Sequence, residues 1–403
     1  MEDVDRVSDL PDSILCHILS FLSTKDAVVT SILSTRWRYL FTLLSNLDFD
    51  LGEFTSSDRR PKISSIKIFL SFVGKMLFFH KTNVDKFRLK CGIRVDCCHV
   101  YGLILAAVWR GVKHLDLNIS YTNVKTLPDA LFACRTLVAL KLDIHFVLDV
   151  PKVKNLFSSC TNLEDVIIEK CNMENINNFN ISHHLLQSLT ILHSNDSSNC
   201  WLIIDSPNLA YFKYIDHVVG GYSLENLQSI VSVDIHFIIE DDDLQADATA
   251  LFREISNVRS LLLSSTSLKL LLSCESLPIF ASMVELKLYC EHSYEYWEKG
   301  LESLLTSSPE LEKLDFDQEV LISLPEKVPS CLSFKLEVTE FSNFRDDKDC
   351  IEKVKYILKH GGALQKLTIH TATYYHDEEK MKIADELFAS PRESKQCCIL
   401  IVW

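Results

Sequence analysis

One spacing of apolar positions recurs along most of the chain. The pattern L-x-x-L-x-L, with aliphatic or aromatic substitutes, occurs at Leu44-Leu47-Phe49, Val84-Phe87-Leu89, Val112-Leu115-Leu117 and Leu137-Leu140-Leu142. It continues at Leu163-Val166-Ile168, Leu186-Leu189-Ile191, Leu209-Phe212-Tyr214 and Ile230-Val233-Ile235, then at Val258-Leu261-Leu263, Met283-Leu286-Leu288, Leu311-Leu314-Phe316 and Leu364-Leu367-Ile369. Between residues 112 and 311 the copies begin at 112, 137, 163, 186, 209, 230, 258, 283 and 311, so successive starts lie 21 to 28 residues apart. Period-two alternation puts the last two apolar residues of each copy on one face of a short strand. A spacing kept over so many copies predicts a repeat architecture, in which each unit buries its apolar face against the next.

The period lies in the leucine-rich-repeat range. Stretches such as Leu127–Cys134 and Leu301–Leu305 are helical in pattern and return the chain to the next strand. The expected fold is therefore α/β: a leucine-rich-repeat solenoid, or horseshoe, with parallel strands inside and helices outside. The wide gaps from Leu44 to Val84 and from Leu311 to Leu364 mark irregular ends, and a cryptic rung is expected around 332–338. Gly220-Gly221 and the acidic run 240–243 read as loop and solvated surface. A helix is expected over 351–359, and Ile66–Phe79 reads as an amphipathic stretch interrupted by Lys67 and Lys75.

The first fifty residues carry a different pattern. Pro11 suits a helix start and Asp12 the positive end of its dipole. Ile14, Leu15, Ile18, Leu19 and Leu22 then form one broad apolar face. Ser23 or Thr24 can cap a second helix carrying Ala27, Val28, Ile32 and Leu33, and a third begins near Ser34 or Thr35 and carries Trp37, Leu40 and Phe41. Three such helices bury little apolar surface alone, so they need a partner or the rest of the chain.

Leu10-Pro11-Asp12, the Ile/Leu pattern through Leu22 and Ser34-Thr35-Arg36-Trp37-Arg38-Tyr39-Leu40 resemble the F-box of plant proteins over roughly residues 7–49. The resemblance implies the substrate-recognition subunit of a Skp–cullin–F-box ubiquitin ligase. It implies that Leu10, Pro11, Ile14, Leu15, Ile18, Leu19, Leu22, Val28, Leu33 and Trp37 bind a Skp-type adaptor, and through it a cullin. The ending Pro391-Arg392, Ser394 and Cys397, after a helix and strand, resembles the FBD module that closes many plant F-box/LRR proteins. The expected organisation is an F-box at 1–50, a repeat solenoid at 51–330 and an FBD cap at 331–403. The alternative is a non-degradative scaffold, or a repeat module whose N-terminal helices serve only as a cap. The segment 399–403 is aggregation-prone unless paired in the fold.

Composition narrows the partners. A formal net charge of -14 argues against a nucleic-acid binder, which needs a basic surface. The apolar runs are shorter than the ~20 residues that span a bilayer, so no membrane partner is expected. Fourteen cysteines, scattered and mostly at apolar positions, read as small buried hydrophobes. With no signal peptide in view and sequons at Asn118, Asn180 and Asn195 unsupported by one, cytosol or nucleus is expected. Cys97-Cys98-His99 lacks a second ligand pair at zinc spacing, so no metal is expected.

No phosphate loop, zinc-protease or nucleophile-elbow motif occurs, and the chain is expected to be non-catalytic. His183-His184 near Asp196 and Ser197 is read as a polar, exposed linker. The residue between the last two apolar positions of each copy points outward: Asp48, Arg88, Asp116, Lys141, Ile167, Thr190, Lys213, Asp234, Leu262, Lys287, Asp315 and Thr368. Mixed signs leave no dense basic cluster for an inositol phosphate, so no cofactor is expected. Protein substrate contacts are expected at Lys213, Tyr214, His236, Lys287, Tyr289 and Asp315, with Tyr214 at an inward repeat position.

Overall fold

A computed structural model describes residues 7, 9–55, 63–92, 95–119, 126–172, 176–192, 200–238, 248–272, 274, 276–289, 298–317, 325, 327–345, 348–371 and 376–403. The acidic run 240–243, the sequon at Asn195, and Asp196 and Ser197 lie outside the described residues. Internal contacts divide the chain into two units, Met1–Asp196 and Ser197–Trp403.

The first unit opens with α1 (Asp12–Leu19) and α2 (Thr24–Val29), followed by 3-10 turns at Thr30–Ile32 and Trp37–Leu43. Ser23 caps α2, its hydroxyl accepting from the Asp26 amide at 3.1 Å and donating to the Asp26 carboxylate at 2.9 Å. Then come β1 (Asn46–Asp50), α3 (Leu51–Thr55), α4 (Ile63–Phe79), β2 (Lys86–Cys91), α5 (Cys97–Trp109) and β3 (His114–Ile119). The unit ends with β4 (Ala139–Val147), α6 (Val150–Ser159), β5 (Asp165–Asn172), β6 (Asn178–Ser182) and β7 (Ser188–Leu192). β1, β2, β3, β4, β5 and β7 pair in that order, all parallel.

The second unit holds β8 (Trp201–Asp205), β9 (Tyr211–His217), β10 (Gly221–Glu225), β11 (Ser232–Ile238), α7 (Thr249–Glu254), β12 (Ser260–Ser264), α8 (Ser265–Leu271) and β13 (Glu285–Tyr289). It continues with α9 (Glu298–Thr306), β14 (Lys313–Asp317), α10 (Ser330–Phe334), β15 (Val338–Phe344), α11 (Lys348–His360), β16 (Lys366–Thr371), α12 (Asp377–Phe388) and β17 (Cys398–Val402). From β9 through β11 to β17 neighbouring strands are again parallel. β8 pairs with β10 in a separate ladder.

All twelve copies of the apolar pattern coincide with strands, and within each unit the register aligns them position for position. Leu47 pairs with Phe87, Phe87 with Leu115, and Leu115 with Leu140. These inward side chains are buried, and each is worth about 1.5–3 kcal/mol of transfer from water. Three expectations change. The cryptic rung falls later, at β15, because its inward position is Thr339, a buried hydroxyl that breaks the leucine pattern. Leu127–Cys134 forms only a 3-10 turn at Leu131–Ala133. Gly221 is not loop but the first residue of β10. It pairs directly with Trp201, and a Cβ there would stand 2.8 Å from the indole. The end segment does find a partner, as β17 runs parallel to β16.

Candidate functional site

The N-terminal helices divide their apolar residues between two faces. Leu15 and Leu19 are fully buried and pack with Ala27, Trp37, Leu40 and Leu44. The partly buried Leu10 leans on this cluster. Arg36 fastens the entry, donating to the Leu10 carbonyl at 2.6 Å and to the Asp12 carboxylate at 3.0 Å. Pro11 sits at the N-cap of α1. The module is tied to the first strand and its flanks. The Asp48 amide donates to the Thr24 hydroxyl at 2.9 Å, Lys25 to the Phe54 carbonyl at 3.3 Å, and the Lys81 amide to the Thr42 carbonyl at 3.0 Å.

The opposite face stays open. Ile14, Ile18 and Leu22 of the expected adaptor set are exposed, as is Leu33 at 65%, while Val28 is half-buried. Leu15, Leu19 and Trp37 are inward, so in that set they act as the support and not as the contact. Sequence reasoning missed four exposed members: Phe21 at 77%, Ile32 at 80%, Val29 and Tyr39. Large apolar side chains left this exposed next to one another in sequence mark a candidate interaction surface. Its signal was the broad width of the apolar pattern, which exceeds what one buried stripe needs.

The outward row of the strands is brought into line by the register. In the first unit Asp48, Arg88, Asp116, Lys141, Ile167 and Thr190 stand side by side. Arg88 bridges Asp48 at 3.1 Å and Asp116 at 3.5 Å, and Lys90 holds Asp50 at 3.0 Å. Burial nevertheless raises the Asp116 carboxyl, with Lys141 and Arg88 opposing that shift, and its Oδ1 has no partner. The sequon residue Asn118 donates its amide to Asp143 at 2.6 Å.

In the second unit Lys213, Asp234, Leu262, Lys287 and Asp315 are neighbours on consecutive strands. Lys213 pairs with Asp234 at 2.5 Å, and Lys287 approaches Glu285 at 3.4 Å. Lys313 holds Asp315 at 2.8 Å and Glu285 at 3.0 Å. Burial pulls Lys313 down, but its bonds to Asp315 and Glu285 outweigh that and hold its ammonium above the usual range. Burial raises Asp315, while the same lysine opposes the shift.

Two positions further along these strands lie the expected His236 and Tyr289, whose ring centroids are 6.1 Å apart. Ser264 pairs with Tyr289, and this small residue leaves room for the rings to approach. Leu262, which sequence reasoning did not single out as a contact, places an apolar side chain between the charges of Asp234 and Lys287. Tyr214 points inward; it is buried, and its hydroxyl donates to the His217 carbonyl at 2.8 Å.

The remaining candidates resolve locally. His183 is buried, not exposed: Nδ1 accepts from the Leu185 amide at 3.3 Å, which leaves Nε2 to donate to the Cys160 carbonyl at 3.1 Å. Burial lowers its pKa. Cys97 and Cys98 are exposed at the head of α5, where Asp96 caps the helix by accepting from the Cys98 amide at 2.8 Å. Burial pushes the Cys91 and Cys160 thiols up to about 12 and Cys331 to about 11.

Known proteins share both ends and the middle. Residues 7–49 match the F-box domain family model and residues 324–369 the FBD model. F-box/LRR-repeat protein At4g14096 of Arabidopsis thaliana is 30% identical over 447 residues, covering 99% of this chain and 95% of that protein. F-box/LRR-repeat protein At3g59200 is 30% identical, covering 99% and 88%. Putative F-box/FBD/LRR-repeat protein At3g59240 is 30% identical, covering 99% and 90%, both from the same plant.

Proposed function

The chain belongs to the plant F-box/LRR/FBD family, and from that premise we propose that it is the substrate-recognition subunit of a Skp–cullin–F-box ubiquitin ligase. The observation that carries the proposal is the open apolar face of the N-terminal helices. A module that only capped the first strand would turn that face inward. Here the inward set already closes the core, and Ile14, Ile18, Phe21, Leu22, Ile32 and Leu33 are left for a partner. A Skp-type adaptor is the partner this family membership supports, with a cullin beyond it.

In this reading the chain is non-catalytic and works by proximity. It holds a protein substrate while another subunit presents the charged ubiquitin carrier, raising the effective concentration of a substrate lysine. In this reading the F-box occupies 1–50, the segment 51–330 is a run of stacked leucine-rich repeats, and 331–403 is an FBD cap. The substrate lies across the outward face of β9 to β14. Lys213, His236, Lys287, Tyr289 and Asp315 contact it around Leu262, an apolar centre with a charged rim of the kind that concentrates binding energy. Complex and substrate meet in cytosol or nucleus.

Co-purification with a Skp-type adaptor, comparing the full chain with one carrying Phe21→Asp and Ile32→Asp, tests the docking. Adaptor retention by the double variant would contradict it. An in-cell ubiquitination assay with and without residues 1–50 then separates a degradative receptor from a scaffold.

A further inference from the structure

The first unit carries a second open apolar surface, built on α4 and α5. α4 and α5 pack side by side and leave between them a groove of about 610 Å³. Leu70, Leu77 and Leu103 form its walls, and Phe78 and Trp109 stand at its rim, 75% and 78% exposed. Large aromatic side chains this open on an otherwise acidic chain call for a physical reason.

The floor gives the first one. Gly74 and Gly102 both line the groove from within helices, where glycine is a much poorer helix former than alanine. Neither is demanded by the chain's own packing. A Cβ on Gly102 would meet nothing within 4 Å, and one on Gly74 would meet only a Leu103 methyl at 3.8 Å. Gly300, by contrast, is obligatory, since a Cβ there would run into the Leu268 carbonyl. The two floor glycines make sense when something approaches the groove more closely than side chains at those positions would permit.

Charge gives the second. The chain as a whole is strongly acidic, yet neither α4 nor α5 contains an aspartate or glutamate. The charged residues lining the groove are Lys67 and Arg110, with His99 beside them, and no carboxylate lines it among the described residues. The Arg110 guanidinium donates to the His80 and Phe78 carbonyls, which fixes its charge at the rim, while Lys67 is the side chain left to meet a partner. Asp96 stands at the head of α5, where one oxygen caps the helix and the other lies 3.8 Å from His99 Nδ1.

We propose that the α4–α5 groove is a docking site for an acidic amphipathic helix of a partner protein. The helix lays its apolar face against the open rings of Phe78 and Trp109, over a base closed by the buried Leu70, Leu77 and Leu103. Its backbone passes over Gly74 and Gly102, and its carboxylates meet Lys67 within the positive field of Arg110. Helix-in-groove recognition needs this combination of an apolar trough, a floor that admits backbone and a rim of opposite charge. Its lining residues are distinct from the adaptor-facing residues and from the outward strand row, and the proposal gives them a partner of their own.

The test uses the full chain and two synthetic helical peptides with the same leucine and tryptophan face, one bearing glutamates and the other lysines on the polar face. Titration by fluorescence anisotropy is expected to show the glutamate peptide binding at least about tenfold more tightly, a difference of ~1.4 kcal/mol. Gly102→Leu fills the groove while improving helix propensity, so it should abolish binding without lowering the melting temperature. Lys67→Glu is a surface change and should invert the preference between the peptides. Equal affinity for both peptides, no binding of either, or undiminished binding by Gly102→Leu would overturn the proposal. So would co-sedimentation with phosphatidylserine vesicles in place of peptide binding, which would assign the surface to an anionic membrane.

Discussion

Replacing Phe21 and Ile32 together by alanine should separate docking from folding. In the free chain these side chains are 77% and 80% exposed, so truncation removes almost no packing, and the melting curve should stay within about 0.5 kcal/mol of wild type. Fully burying such a side chain is worth about 1.5–3 kcal/mol. Scaled by the surface still open to cover, the pair should contribute about 2–4 kcal/mol to adaptor binding, or about 30- to 1,000-fold in Kd. Calorimetry of the purified chain with a Skp-type adaptor reads the affinity, and thermal denaturation of the same samples reads the fold. Leu15→Ala supplies the contrast. It lies fully inside the cluster with Leu19 and Trp37, so it should cost about 2–5 kcal/mol of stability and weaken binding only through unfolding. Adaptor affinity within threefold of wild type in the double variant, with the fold intact, would sink the assignment of this face.

Other expectations follow from the same geometry. Lys213→Gln with Lys287→Gln should weaken substrate capture while Leu262→Asp should nearly abolish it, both read by pull-down of a ubiquitinated target; unaltered capture would move the substrate elsewhere. Asp116 is raised by burial, so its penalty is absent below the ordinary carboxylate range and grows as pH rises through the folded value. Asp116→Asn should therefore raise the melting temperature at neutral pH and lose that advantage in acid. Gly300→Ala forces the Leu268 carbonyl aside and should cost about 1–3 kcal/mol by denaturant titration. Among the described cysteines, Cys97, Cys98 and Cys398 should react first with a thiol reagent in the native state. Cys91 and Cys160 should wait for unfolding, since burial holds their thiols near 12.

What could be read beforehand depended on how local each signal was. The twelve main strands were legible because their inward residues are large, apolar and spaced within six positions. β15 slipped because Thr339 occupies an inward place, and β8 and β10 escaped because Leu202, Ile204, Tyr222 and Leu224 make short alternations without the leading leucine. On α1 both the buried Leu15 and Leu19 and the open Ile14 and Ile18 are aliphatic, so hydrophobicity alone could not say which face was spoken for. The outward charges were visible one by one. Their cancellation was not, because it joins Asp48 to Arg88 and Lys213 to Asp234 across whole repeats, and only register brings those residues together.

The alternating signs of Asp48, Arg88, Asp116 and Lys141 on adjacent strands impose a parity on how such a gene can grow. Repeats are gained and lost one at a time by duplication and deletion. Losing the strand that carries Arg88 would set Asp48 beside Asp116, and copying it would set arginine beside arginine, each unfavourable between neighbouring strands. Gaining or losing two units leaves the alternation whole. In this stretch the number of rungs is free to change in even steps, while an odd step demands a compensating substitution at the same locus.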